Sequence, residues 1–116
     1  MPQTRHQRDG QSGEDEALDH LRLHGLSLVE RNFRCKVGEI DLVMQDGDGL
    51  VFVEVRRRAG LSHGGAAASV TPAKQRRMLR AAQFYLLRYR QPPRCRFDVV
   101  AIDGPNLSWL RNVLDA

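Results

Sequence analysis

Residues 37–58 read VGEIDLVMQDGDGLVFVEVRRR, two strand-like runs separated by a turn. Residues 37–45 and 50–58 are rich in valine, isoleucine and leucine, as strands of a sheet interior are. The tetrapeptide Asp46-Gly47-Asp48-Gly49 between them is typical of a tight hairpin turn. The stretch therefore predicts an antiparallel hairpin at the centre of the fold.

The sequence on either side of this hairpin predicts further helices and strands. The first helix is expected to be capped by Ser12, while Thr71 and Pro72 have the residue types that begin a second helix. Residues 107–114 are compatible with a fifth strand or a terminal helical turn. The predicted elements are helices over residues 13–24 and 72–89 and strands over 26–34, 37–45, 50–58 and 96–102.

The order α-β-β-β-α-β predicts an α/β fold with a mixed sheet flanked by helices. A crossover through the second helix makes the third and fourth strands parallel neighbours. With 116 residues, 41% of them hydrophobic and 28% charged, the chain has the size and composition of one globular domain. Residues 1–12 are polar and lack periodicity, so we expect a disordered tail there and a single domain over residues 13–116.

The sequence shows no signal for a membrane. No apolar run approaches the roughly 20 residues that a bilayer-spanning helix needs. The basic residues near the N-terminus are not followed by the apolar core of a signal peptide. We therefore expect a cytoplasmic protein.

Two acids lie within the hydrophobic strands of the hairpin. Asp41 and Glu54 are each five positions from the turn, so their carboxylates are expected on facing positions roughly 5 Å apart. Buried carboxylates need a cation, and hard oxygen ligands favour Mg²⁺ or Mn²⁺ over zinc. From the spacing alone, a metal site and a cluster of salt bridges to arginines such as Arg56 or Arg34 are equally open.

The chain is mildly basic, with a formal net charge of +4, and its cations are mostly arginine. The guanidinium group presents a planar fork of donors that suits phosphate oxygens. The charge by itself indicates only solvated faces, but the clustering of cations near the acid pair favours nucleic acid as a partner. The residues expected to contact phosphates are Arg57, Arg58, Lys74, Arg76, Arg77 and Arg80.

Two further residues are expected to have structural roles. Asp98 lies in the fourth strand and is expected to pair with a neighbouring arginine. Trp109 is expected to pack against the core, although an indole ring also suits stacking on a base.

Five short segments resemble a family of uncharacterised bacterial proteins, the YraN type. They are GEDEA at residues 13–17, RNFR at 31–34, GEIDLV at 38–43, VFVEV at 51–55 and RFDVV at 96–100. The resemblance extends over residues 13–103, in matching order and spacing. That family in turn resembles the PD-(D/E)xK nuclease superfamily, most closely the archaeal Holliday-junction resolvases. The resemblance implies a restriction-endonuclease-like fold.

The resemblance also implies a catalytic site. It assigns Glu14 to an acid on the first helix, Asp41 and Glu54 to the metal-binding acids, and Gln75 to a supporting polar position. The implied cofactor is Mg²⁺ or Mn²⁺, held by the three acids. Arg56 stands where the pattern has lysine. An arginine stays protonated and cannot act as a general base, but it can hold a scissile phosphate.

Taken together, the resemblance implies a Mg²⁺-dependent endonuclease that acts on structured nucleic acid. Branched DNA is the substrate by analogy alone. The alternative is a non-catalytic nucleic-acid-binding or adaptor module that keeps the nuclease fold, and Arg56 is the residue that keeps this alternative open. Resolvases act as symmetric dimers, so a homodimer is conceivable here, but no interface can be identified from the sequence.

Overall fold

The computed structural model describes residues 5–58 and 70–114, which form a five-stranded sheet with one helix on each face. The elements are α1 (Arg5–Leu23), β1 (Ser27–Cys35), β2 (Gly38–Asp46), β3 (Gly49–Arg58), α2 (Pro72–Leu86), β4 (Cys95–Asp103) and β5 (Asn106–Leu110). The predicted α/β class and the predicted order of elements are confirmed. Neither described helix combines the length and apolar character that crossing a bilayer requires.

The strands lie in the order β1-β2-β3-β4-β5, so neighbours in sequence are neighbours in the sheet. The predicted hairpin is present, with Asp46 paired to Gly49, and Gly47 has the positive φ of 62° that its turn requires. β3 and β4 pair in parallel, as the crossover through α2 predicts, while the other three pairs are antiparallel.

Both helices differ from their predicted bounds. α1 begins at Arg5, so the predicted start at residue 13 with Ser12 as its cap was wrong. Residues 5–12 contain no proline, and the single Gly10 costs a helix only about 1 kcal/mol, so the helix can extend through this polar stretch. Residues 1–4 of the expected tail lie outside the described residues.

The second helix begins at the predicted residue and ends three residues before the predicted end. The Thr71 side chain accepts a hydrogen bond from the Lys74 backbone N–H, and Pro72 is the first helical residue. The helix ends at Leu86 rather than residue 89 because the next backbone N–H groups turn to the carbonyls three residues back, at 3.1–3.3 Å. The loop predicted before this helix, at 59–69, lies outside the described residues.

Side chains of β3 alternate between two apolar layers. Val51 and Val53 pack in the layer beneath α1, while Leu50 and Phe52 pack in the layer beneath α2. Strands β1 to β4 all contribute buried residues to these layers. Strand β5 contributes only the half-buried Leu107 and Trp109. Because the alternation continues along the strand, Glu54 lies on the α2 face.

Asp98 is fully buried, and both oxygens of its carboxylate accept hydrogen bonds within the fold. It accepts hydrogen bonds from Arg96 Nε at 3.1 and 3.2 Å, from Trp109 Nε1 at 2.9 Å and from the Asn112 backbone N–H at 2.9 Å. Arg96 also reaches Asp46 at 3.0 Å. The predictions that Asp98 pairs with an arginine and that Trp109 packs against the core are both confirmed.

Candidate active site at the Asp41–Glu54 pair

The regular strand pairing is interrupted beside Asp41. The β1–β2 ladder has partners at Arg31↔Leu42 and Phe33↔Ile40, and between them Asn32 adopts a positive φ of 53°. The β2–β3 ladder runs from the hairpin turn only as far as Leu42↔Val53. Asp41 therefore lies between two paired positions of the β1–β2 ladder and one residue past the last pair of the β2–β3 ladder.

The Asp41 carboxylate replaces a backbone partner for β3. Its Oδ2 atom accepts a hydrogen bond from the Val55 backbone N–H at 2.8 Å. A charge-assisted bond of this kind is stronger than one between neutral groups, and it fixes one carboxylate oxygen. The second oxygen and the neighbouring Glu54 remain for other contacts.

Asp41 and Glu54 are close enough for a hydrogen bond between their side chains, as the facing positions on the hairpin predicted. Burial, the charge of Asp41 and the hydrogen bond to Asp41 raise the pKa of Glu54 to about 8. Burial also raises the pKa of Asp41, against the opposing effect of the Val55 N–H. Two ionised carboxylates in contact are therefore disfavoured, and a pKa of about 8 leaves Glu54 mostly protonated at neutral pH.

Glu14 lies beside this pair and is held by two residues of β1. Arg31 Nη2 is 3.4 Å from its Oε1, and the Asn32 amide, turned to satisfy both of its polar atoms, donates to both carboxylate oxygens at 3.2 Å. Burial, followed by the charge of Asp41, raises the pKa of Glu14. The charge of Asp41 on β2 therefore acts on Glu14, which lies on α1.

The three acids do not form one ready-made ligand set. Within residues 5–58 and 70–114, no group of three or more histidine, cysteine, aspartate or glutamate side chains is arranged to hold a metal ion. The structure thus joins Asp41 to Glu54 and places Glu14 at the periphery. Direct ligation by Glu14 stays a prediction.

A cleft of about 560 Å³ opens beside Glu54. One wall is the turn between β1 and β2, which lies against α2 so closely that a Cβ atom on Gly38 would be 2.7 Å from the Arg77 carbonyl oxygen. The other wall is α2 itself. The cations that line this cleft are Arg34, Lys36, Arg56, Lys74 and Arg77, and its carboxylates are Glu39 and Glu54.

Two arginines lie within ion-pairing distance of the carboxylates of this cleft. Arg56 Nη1 is 3.7 Å from Glu54 Oε1, and Arg34 Nε is 3.5 Å from Glu39 Oε2. The salt-bridge alternative is therefore present in the structure for Glu54, through Arg56. It coexists with the Asp41–Glu54 contact. The cleft as a whole is basic, because five cations and two carboxylates line it.

Several predicted site residues lie elsewhere. The Gln75 side chain donates a hydrogen bond to the Val70 carbonyl at 3.2 Å and so connects α2 to the residue before its N-cap. Arg57 points to the α1 side of the sheet, where it lies 4.0 Å from Glu16. Arg76 and Arg80 are exposed, one helical turn apart and outside the cleft lining. The side chain of Arg58 lies outside the described residues.

The sequence reasoning gave no role in the site to Lys36 or Asn32, and it considered Arg34 only as a salt-bridge partner of the acid pair. In the structure, Lys36 lines the cleft from the β1–β2 turn and Arg34 lines it from the end of β1. Asn32 holds Glu14. An asparagine within a strand-like segment was an available signal, because it is one of the few residue types apart from glycine that tolerate a positive φ.

Comparison with known proteins gives the family. The model of the "Uncharacterised protein family UPF0102" matches residues 13–102, which include Glu14, Asp41, Glu54 and Lys74. The chain belongs to this family. It is 64% identical to a UPF0102 protein of Herminiimonas arsenicoxydans over 99% of the chain and 93% of that relative. It is 59% identical to a UPF0102 protein of a Janthinobacterium species over 99% and 94%.

A third UPF0102 relative, from Cupriavidus taiwanensis, is 59% identical over 95% of the chain and 85% of that protein. UPF0102 is the YraN-type family, so the resemblance seen in the sequence motifs is confirmed. The family is described as uncharacterised, so membership carries no activity with it. A function for this chain has to be argued from the cleft.

Proposed function

We propose that this protein is a divalent-metal-dependent phosphodiesterase that acts on structured nucleic acid, with branched DNA as its substrate. The observation that supports the proposal is the buried Asp41–Glu54 pair at the edge of a basic cleft. A purely structural acid would be matched by its own donors, as Asp98 is. Here two carboxylates are buried against each other, an arrangement that a divalent cation relieves.

The donor set suits Mg²⁺ or Mn²⁺. Both ions prefer carboxylate oxygens, and Mg²⁺ usually binds through one or two carboxylates, with water and substrate phosphate completing its shell. Asp41 and Glu54 would hold the ion, with Glu14 placed to act through water. Such an ion neutralises phosphate charge and lowers the pKa of a bound water. Glu54 has to lose its proton before it can serve as a ligand.

The reaction is hydrolysis of a phosphodiester. The oxygen of a water molecule forms a bond to phosphorus, the bond from phosphorus to one sugar oxygen breaks, and the proton lost by the water is balanced by one gained at the leaving oxygen. Arg56 lies beside Glu54 and remains charged, so it stabilises the phosphate electrostatically.

The cations of the cleft favour phosphate recognition over base recognition. Arg34, Lys36 and Arg77 line the cleft with side chains that carry only hydrogen-bond donors, and contacts from such groups to phosphates position a nucleic acid without reading its sequence. We therefore expect binding that depends on the shape of the substrate and on salt. The alternative, an adaptor that binds nucleic acid without turnover, is favoured by one observation, the arginine at position 56.

A cleavage assay tests the proposal. Labelled flap, fork and four-way-junction DNA, with linear duplex for comparison, is incubated with the wild-type protein and Mg²⁺ or Mn²⁺. We expect cleavage of branched substrates by the wild type and by Glu39→Gln, which removes an exposed carboxylate of the same cleft. Asp41→Asn should be inactive. Binding of DNA without cleavage by any of these proteins would favour the adaptor.

A further inference from the structure

We propose that Lys74, at the start of α2, is the catalytic cation of this cleft and takes the place of the lysine that is absent at position 56. The inference rests on the proposed phosphodiesterase function. It assigns Lys74 a role in turnover, whereas the sequence alone predicted only a phosphate contact.

Lys74 and Arg56 lie on different elements of the fold, and both are close to Glu54. Lys74, Glu54 and Arg56 line the same cleft, the first from α2 and the other two from β3. Lys74 is half-buried, and its charge is among those that lower the pKa of Glu54. The ammonium group is therefore near Glu54, and the side chain lines the space that a phosphate would enter.

The charge of Lys74 opposes the field of the helix that carries it. The hydrogen bond of 3.3 Å from its backbone N–H to Thr71 Oγ1 makes it the third residue of the helix. The first turn contains no acidic residue. A cation at this position is unfavourable because the N-terminus of a helix already carries positive partial charge. The same placement adds the helix field to the lysine charge, and the two together attract an anion in the cleft.

The chemistry of the two cations differs. Arg56 carries a planar guanidinium that lies 3.7 Å from Glu54 Oε1, whereas lysine offers a compact charge with three donors on a flexible stem. Lys74 contacts a non-bridging oxygen of the scissile phosphate and stabilises the charge that develops as water attacks. It transfers no proton in this role, so its charge alone is required.

The test measures kcat and KM for branched DNA in Mn²⁺ with wild type, Lys74→Ala, Lys74→Arg and Arg94→Ala. The last variant removes a cation that is 87% exposed and pairs with Asp48. We expect Lys74→Ala to lower kcat about 100- to 1000-fold, as loss of one oxyanion donor does. KM should change less than about threefold, Lys74→Arg should recover part of kcat, and Arg94→Ala should match the wild type.

Thermal stability and kcat together distinguish a catalytic role of Lys74 from a structural one. The midpoint of thermal unfolding of Lys74→Ala should lie close to that of wild type, because the gain from alanine at a helix N-terminus offsets the lost attraction between Lys74 and Glu54. A wild-type kcat in Lys74→Ala, or a loss confined to KM, would overturn the inference.

The failure of this inference can be distinguished from failure of the proposed function. An inactive wild type that gains cleavage through Arg56→Lys would overturn the role of Lys74 while supporting the metal site. If neither protein cleaves and neither binds Mn²⁺, the phosphodiesterase proposal itself is wrong and the role of Lys74 falls with it.

Discussion

Asp41 Oδ2 accepts a hydrogen bond from the backbone N–H of Val55 at 2.8 Å, so a side chain of β2 completes the backbone hydrogen bonding of β3. In this contact Asp41 is one residue, and Val55 two residues, beyond the last regular β2–β3 pair, Leu42↔Val53. It holds one acid of the candidate site against the strand that carries the other. The same aspartate therefore has a structural role and a proposed chemical role, and substitutions can separate them.

Two substitutions of Asp41 should differ in stability and agree in function. Asp41→Asn keeps an oxygen for the Val55 N–H and removes a charge facing Glu54, so its free energy of unfolding should match or exceed that of wild type. Asp41→Ala leaves the N–H without its acceptor and should lose about 1–3 kcal/mol. Urea denaturation at pH 8 measures both. Equal stability of the two variants would contradict the structural role of this hydrogen bond.

The raised pKa of Glu54 makes stability depend on pH. The pKa of Glu54 is about 8 in the folded protein, above its ordinary value of 4.5, so the folded state binds more protons between these values. In the absence of metal, the Glu54 contribution to stability is present below pH 4.5 and is lost as the pH rises through 8, by up to about 1.4 kcal/mol per unit.

Glu54→Gln should remove much of this dependence. The variant carries a neutral group at every pH, so its stability relative to wild type should increase from pH 5 to pH 9. Denaturant titrations at four pH values measure the difference. A constant difference across this range would show that Glu54 titrates normally.

Asn32 combines a backbone role with a side-chain role. Its φ of 53° suits asparagine or glycine, and its amide holds both oxygens of Glu14. Asn32→Gly keeps the backbone conformation, whereas Asn32→Ala should be less stable than the glycine variant by about 1 kcal/mol. Both should lower the cleavage rate by a similar factor, because both remove the amide that donates to the two oxygens of Glu14. If the glycine variant were fully active, the hold on Glu14 would be irrelevant to function.

The cleft predicts which arginines of α2 bind phosphate. Arg77 lines the cleft, whereas Arg80 lies outside it on the same helix. Arg77→Ala should weaken binding of DNA about equally for different sequences and reduce the slope of log affinity against log salt concentration by about 1. Arg80→Ala makes the same change of charge and should alter the slope less. The reverse order would place the DNA on the outer side of α2.

The hairpin was predictable because its information is local. The turn residues set the register, and the period of two then places Asp41 opposite Glu54. The parallel pairing of β3 and β4 followed from the crossover rule. These regularities act through the backbone, and a single sequence carries them.

The rest of the site depends on tertiary contacts that have no local signature. The positive φ of Asn32 and the approach of Gly38 to the Arg77 carbonyl bring the β1–β2 turn and α2 together. Only this packing makes Arg34 a residue of the cleft. The α1 start was missed because its first turns are polar and carry no hydrophobic period.

Calorimetric titration of the wild-type protein with Mn²⁺ at pH 8.5 tests the central claim most directly. We expect saturable binding that strengthens as the pH rises through 8, since Glu54 must lose its proton. Glu54→Gln should weaken binding roughly 100-fold or more, whereas Glu39→Gln, an exposed carboxylate of the same cleft, should change it no more than about threefold. Absence of saturable binding by the wild type, or equal losses in the two variants, would contradict a metal site at Asp41 and Glu54.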